Sequence, residues 1–320
     1  MGVDAVEPDV VVSSDGVLVI RHENEISQTT DIADRPEFAH RRTTKVVDGT
    51  ELTGWFTEDF TWAELATLRC RERIPKLRPE SATHNDSEPI LRLRDLLDLV
   101  SQANTASKAH AQANASRAIG VVLEIKHATY FDHLGWDVSA LVAQELHDAG
   151  WAQGEHPLVI ESFESTVLRR LQERDVTASY VYLLEAEGKP FDLSITLGAD
   201  APEYAEVITP AGLDRLIGQV DGISISKRII LEQSDQGRHG GAALVAEAHQ
   251  RRLQVFTWTC RPENAFLDRR FRVGATAVFG RWHDEWAIIR DSGVDGVFVD
   301  HPDLGVNFFT SAKGTAKGAP

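Results

Sequence analysis

Two rhythms alternate along the chain. Short, nearly continuous apolar runs recur as "AVEPDVVV", "IGVVLEIK", "PLVIESF", "SYVYLL", "DGISIS", "LQVFTWT" and "VDGVFVD". Longer stretches with apolar positions three and four apart lie between them, including "DVSALVAQELHDAGW", "ESTVLRRLQERD", "AGLDRLIGQV", "AALVAEAHQRR" and "HDEWAIIRDSG". Unbroken apolar runs of strand length suit strands covered on both faces. Their alternation with amphipathic helices predicts βαβ units and a parallel sheet. Seven such strands are present, whereas a closed (β/α) barrel needs eight. The run "VLVIRH" follows "VVVSSDG" through an Asp-Gly turn, so it reads as the returning arm of an antiparallel hairpin. No GxGxxG follows an early strand, which removes the support for a nucleotide-binding open sheet. The expected fold is therefore α/β, a TIM-type (β/α)8 barrel lacking its first strand and helix, which are expected ahead of Met1.

Residues 27–118 interrupt this rhythm. The stretch is polar, turn-rich and studded with aromatics, and an insertion of this kind is expected to lie over the barrel mouth. Within it "TWAELATLRCRE" and "PILRLRDLLDLVSQ" predict helices, with Thr61 as N-cap of the first. Residues 101–117, rich in Ala, Ser and Asn, predict a loose helix end or loop. Residues 1–310 are expected to form one barrel domain, and the tail "SAKGTAKGAP", 311–320, is expected to be disordered.

Composition narrows the function classes. The 320 residues are 42% hydrophobic and 26% charged, enough for a sizeable core. The net charge of -16 argues against nucleic-acid binding, which needs clustered Lys and Arg. Two cysteines, Cys70 and Cys260, cannot build a disulfide framework. No run approaches the roughly 20 apolar residues of a membrane span, so no transmembrane segment is expected. The first twelve residues include Asp4, Glu7 and Asp9 and lack the basic start of a signal peptide. The chain as given reads as cytoplasmic, or as secreted or periplasmic if an upstream signal segment has been lost.

Candidate chemistry gathers on the strands. Glu7 and Asp9 sit at i and i+2, where side chains of one strand share a face. Two carboxylates that close repel each other unless a cation lies between them, and hard oxygen donors favour Mg²⁺ or Ca²⁺. Glu124 and Lys126 repeat the spacing with opposite charges. Glu124 then serves as a third ligand and Lys126 binds an anionic substrate group, or the two form a buried ion pair. Glu161 in "VIESF" falls in the same layer. Trp258 in "FTWT" is either an apolar wall for a substrate or a core residue. His22 closes the hairpin arm that returns from the acidic pair, and its ordinary pKa suits proton transfer near neutrality. Carboxylates, a divalent metal, a lysine and a histidine together fit metal-assisted phosphoester cleavage. "GRHGG", 237–241, lacks the Lys-Ser/Thr of a P-loop and reads as a flexible loop. His283 reads as a helix start, and the remaining histidines as surface or core.

These segments together resemble the glycerophosphodiester phosphodiesterase family: "GVDAVEPDVVVSSDGVLVIRHENEISQTTDIA", "GWFTEDFTWAELATLR", "VLEIKHATYF", "VIESF", "VFTWT" and "GVDGVFVDHPD". The resemblance implies a barrel that hydrolyses small-molecule glycerophosphodiesters to glycerol 3-phosphate and an alcohol, using one divalent cation, Ca²⁺ or Mg²⁺. It implies Glu7, Asp9 and Glu124 as metal ligands and His22 as one of two catalytic histidines. Lys126 would contact phosphate, Trp258 would line the substrate pocket, and Glu161 is grouped with them as substrate-binding. In the mechanism drawn for the family, a neighbouring glycerol hydroxyl attacks phosphorus and water then opens the cyclic phosphate. The family's opening His-Arg-Gly strand and Pro-Glu-Asn-Thr-like segment have no counterpart here, and with them go the other histidine, an arginine and a further glutamate. Two alternatives stand beside this reading: a related phospholipase D-like lyase acting on lysolipid or sphingolipid head groups, and a degenerate member that binds metal or phosphodiester without turnover. The sequence carries no sign of the oligomeric state.

Overall fold

Val10, Val11 and Val12 are all fully buried, as a β-branched run covered on both faces should be. The computed structural model describes residues 2–110, 117–234 and 240–311. The chain divides into two units, Asp4–Tyr180 and Val181–Pro320 with Met1–Val3.

In the first unit the strands are β1 (Ala5–Val6), β2 (Asp9–Val12), β3 (Leu18–Ile20), β4 (Thr43–Val47), β5 (Thr50–Gly54), β6 (Gly120–Ile125) and β7 (Leu158–Ser162). Both β1 and β2 run parallel to β6, with Ala5 opposite Gly120 and Asp9 opposite Glu124. The run "AVEPDVVV" is thus two strands, not one. Pro8 has no N–H to give the ladder, and only its carbonyl is used, accepting the Glu124 N–H at 2.9 Å. On the other side β6 pairs in parallel with β7, and Glu124 lies opposite Glu161.

The returning arm is antiparallel, with β3 paired to β2 through Val10 opposite Ile20. Gly16 closes the hairpin at φ +79°, and any Cβ there would stand 2.7 Å from the Trp136 ring. Beyond β3 the arm continues with the Arg21 N–H donating to the Asp9 carbonyl at 3.0 Å. That bond fixes His22, the next residue, beside Asp9.

The insertion has its own logic. β4 and β5 form a hairpin with Val47 opposite Thr50. Its two turn residues, Asp48 and Gly49, have φ of 46° and 80°, the left-handed pair that tight hairpins use. Thr61 caps Trp62–Leu65 in a full capping box with Glu64, but that helix is a single turn, shorter than its pattern suggested. The helix Leu93–His110 extends through residues expected to be loose. Asn104 explains part of this, because its side chain exchanges hydrogen bonds of 2.9 and 2.8 Å with the backbone of Ile119.

In the second unit β8 (Ser179–Leu184), β9 (Gly222–Ser226), β10 (Gln254–Cys260) and β11 (Gly296–Val299) are parallel, β9 pairing with β8 and β10, and β10 with β11. Its core holds Leu231, Cys260, Leu267, Trp286 and Ile289, with Phe308 and Phe309 of the last helix packed against them. Counting β1 and β2 as one interrupted strand, seven parallel strands occur among the described residues, as the pattern predicted. His283 falls in the first turn of the helix Trp282–Asp291. The expected tail beyond Ser311 and most of "GRHGG" lie outside the described residues. Among the described residues no helix is long and apolar enough to cross a membrane.

Candidate active site

The first unit brings Glu7, Asp9 and Glu124 together. One ligand atom from each lies within 4.8 Å of the others, and burial deepens from exposed Glu7 through half-buried Asp9 to buried Glu124. Parallel pairing does this: β2 sets Asp9 opposite Glu124, and the break at Pro8 leaves Glu7 at the rim. β7 adds Glu161, 2% exposed, whose Oε2 accepts no hydrogen bond among the described residues.

Lys126 is the cation of the group. Its Nζ lies 2.6 Å from Glu124 Oε1 and 3.0 Å from Asp9 Oδ1, with the Phe163 ring centroid at 5.9 Å. Burial pulls the ammonium down, but Glu124 and Asp9 outweigh it and raise its pKa overall. The acids respond in the opposite sense. Burial pushes Glu124 up, Asp9 adds to the rise, and Lys126 recovers only part of it. Glu161 is raised well above the carboxylate range by burial and by the charges of Glu124 and Glu7. Burial is the larger cause for both acids, and a single lysine among four carboxyl groups does not offset it.

His22 joins from the hairpin arm, its Nε2 3.3 Å from Lys126 Nζ. An ammonium only donates, so Nε2 is the acceptor and the proton of the neutral ring sits on Nδ1. There it faces Glu23 Oε1 at 2.7 Å. The second Glu23 oxygen lies 3.6 Å from His127 Nε2, and His127 Nδ1 lies 2.6 Å from Asp48 Oδ2 in the insertion turn. Burial lowers His127, but Asp48 and Glu23 more than reverse it and raise the imidazolium to about 9. Glu23 is driven up by burial, yet the His127 and His22 rings beside it hold it far below the usual carboxylate range.

Six of the seven residues singled out from sequence therefore share one site. Trp258 belongs to the second unit, half-buried on β10 in register with Ser226. Three neighbours of this group went unread: Glu23, Asp48 and His127. For His127 a signal existed, since it directly follows Lys126 in "EIKH", although strand alternation turns it away from the acidic face. Asp48 reaches the site only through the fold of the insertion.

The match to the family model for glycerophosphoryl diester phosphodiesterases covers residues 1–304. A glycerophosphodiester phosphodiesterase of Arabidopsis thaliana is 29% identical over 311 residues, spanning 93% of this chain and 76% of that protein. One of Treponema pallidum is 22% identical over 335 residues, spanning 96% and 84%. The structure of an Oleispira antarctica phosphodiesterase in complex with the product sn-glycerol-3-phosphate overlays with a TM-score of 0.59 at 18% identity, covering 98% of this chain and 86% of that one. That likeness carries the α/β fold alone, while the family match spans the strands that bear the acidic group, Lys126 and His22. The chain belongs to the glycerophosphoryl diester phosphodiesterase family.

Proposed function

We propose that the protein hydrolyses glycerophosphodiesters to glycerol 3-phosphate and an alcohol, aided by one divalent cation, Ca²⁺ or Mg²⁺. The observation that carries the reading is the convergence of Glu7, Asp9 and Glu124 within 4.8 Å on a face where carboxyl groups outnumber Lys126. The donors suit such an ion: all are carboxylate oxygens, and the buried Glu161 Oε2 beside them has no hydrogen-bond partner. Glu7, Asp9 and Glu124 would hold it. When bound, it would supply positive charge to the non-bridging oxygens of the phosphate.

The remaining work falls to side chains. Lys126 offers the phosphate a compact positive charge. His22 takes a proton at Nε2 from the neighbouring glycerol hydroxyl as that oxygen bonds to phosphorus. The bond from phosphorus to the departing alkoxide breaks, and the imidazolium returns the proton to it, leaving the free alcohol and a cyclic phosphate. Water then adds across the cyclic phosphate to give glycerol 3-phosphate. Glu161, buried beside the three acids, offers its carboxyl group to the substrate. A TIM-type barrel over residues 1–310, with 27–118 at its mouth, is the finer fold reading, supported by seven parallel strands out of eight.

The test is release of glycerol 3-phosphate from glycerophosphocholine by metal-stripped protein before and after adding Ca²⁺ or Mg²⁺. Metal-dependent release supports the reading. Choline release from sphingomyelin instead would point to a lyase, and Ca²⁺ binding that Asp9→Ala abolishes, without product, would point to a degenerate binder.

A further inference from the structure

The ring of His22 is largely exposed, with 57% of its side-chain surface open. With so much of the ring open, the bonds at its edge set the orientation that proton transfer at Nε2 requires. At Nδ1 the ring donates to Glu23 Oε1, 2.7 Å away. Glu23 is itself half-buried, and its second oxygen is met by His127 at 3.6 Å. His127 is gripped at its other nitrogen by Asp48 at 2.6 Å.

Among the described residues five non-glycine positions have left-handed φ. His127 at 53° and Asp48 at 46° are two of them, and these two are bonded to each other. One directly follows Lys126, and the other is the tip of the insertion hairpin.

We propose that Asp48, His127 and Glu23 are positioning residues that hold the His22 ring in the Nδ1–H tautomer with Nε2 turned to the substrate phosphodiester. The insertion thereby supplies part of the proton-transfer apparatus without touching the phosphate. The proposal rests on the assignment of His22 as the proton-transfer group of the proposed hydrolysis. A plain structural tie between hairpin and strand would predict lost stability and nothing more.

The test is steady-state kinetics of the metal-loaded full chain on glycerophosphocholine. Glu23→Gln is expected to lower kcat about 10²-fold, within the range of a general acid–base contribution, with KM changed less than about twofold. Asp48→Asn, two contacts further out, is expected to lower kcat about 10-fold. In a His22→Gln background neither substitution should lower kcat further. Unchanged kcat in both variants, a loss residing in KM, or a full loss persisting without His22 would overturn the proposal. If the wild-type chain forms no glycerol 3-phosphate, the reading of function fails, and ring ¹⁵N shifts of His22 decide the network independently. An Nδ1–H tautomer in wild type that becomes a mixture in Glu23→Gln supports it, and identical shifts in the two proteins overturn it.

Discussion

Among the described residues each unit buries one lysine immediately after a parallel strand, and the two lysines meet opposite circumstances. Lys227 follows β9, is 8% exposed, and donates to Glu285 at 2.7 Å and to the Phe266 carbonyl at 2.9 Å. Glu285 is fully buried, and its other oxygen accepts the Asp268 N–H at 2.7 Å. Charge and hydrogen bonds close within that small group, with one cation against one anion. Lys126 follows β6, is 9% exposed, and stands among Asp9, Glu124, Glu7 and Glu161 with His22 alongside. The same residue type, at the same place in a βα unit, completes a structural pair in one unit and leaves a surplus of negative charge in the other. Burial of a lysine therefore does not mark a site; an unbalanced partner list does.

The sharpest way to break the comparison is to remove the surplus. Asp9→Ala should lower glycerol 3-phosphate formation by about 10³-fold or more, since a metal's charge stabilisation is worth several kcal/mol at about 1.4 kcal/mol per decade. Isothermal titration with Ca²⁺ should show binding lost in the same variant. Next come the lysines themselves. Lys227→Met strands Glu285 and should cost about 3–5 kcal/mol in urea unfolding, with no recovery on adding Ca²⁺ or Mg²⁺. Lys126→Met should also destabilise the metal-free protein, yet a divalent cation should restore most of the loss because four carboxyl groups can accept it. Equal behaviour of the two variants with metal would remove the distinction.

A smaller effect follows from His127. Its value is raised in the folded protein, so its contacts contribute in full below the unfolded value of about 6.5 and fade as pH rises through about 9. The difference in Tm between wild type and His127→Gln should be constant in mild acid and close above pH 9. The smallest test uses Cys260, fully buried beside the Lys227 pair, where burial pushes the thiol up to about 12. Iodoacetamide at pH 8 should leave it unmodified in the folded protein, and alkylation would report that the second unit opens.

The comparison also shows what the amino-acid pattern could carry. Strand runs, the hairpin arm and the i, i+2 pairs were legible because period-2 alternation and Asp-Gly turns act over a few residues. Glu161 was legible too, since parallel register brings equivalent strand positions into one layer. The break at Pro8 was visible as a proline and was read through, although a residue without an N–H cannot extend a ladder. Asp48 was not legible. It lies 79 positions from its partner His127, and no local periodicity encodes that contact. The single-turn helix at Trp62 likewise stopped short of its apolar pattern, because the residues beyond it turn into bridges, with Arg69 and Cys70 pairing elsewhere in the chain.

The β2–β3 hairpin acts as a ruler between two functional groups. Its turn fixes Ile20 opposite Val10 and sets the Arg21 N–H on the Asp9 carbonyl, and Gly16 has no room to change against Trp136. Side chains alternate with a period of two, so a shift of one residue sends every one of them to the other face. In the terms of a gene rather than a fold, codons 13–17 tolerate no single-codon insertion or deletion. Such a change would leave every residue of the site encoded, yet carry His22 to the wrong side of the sheet, as damaging to the lineage as losing the histidine outright.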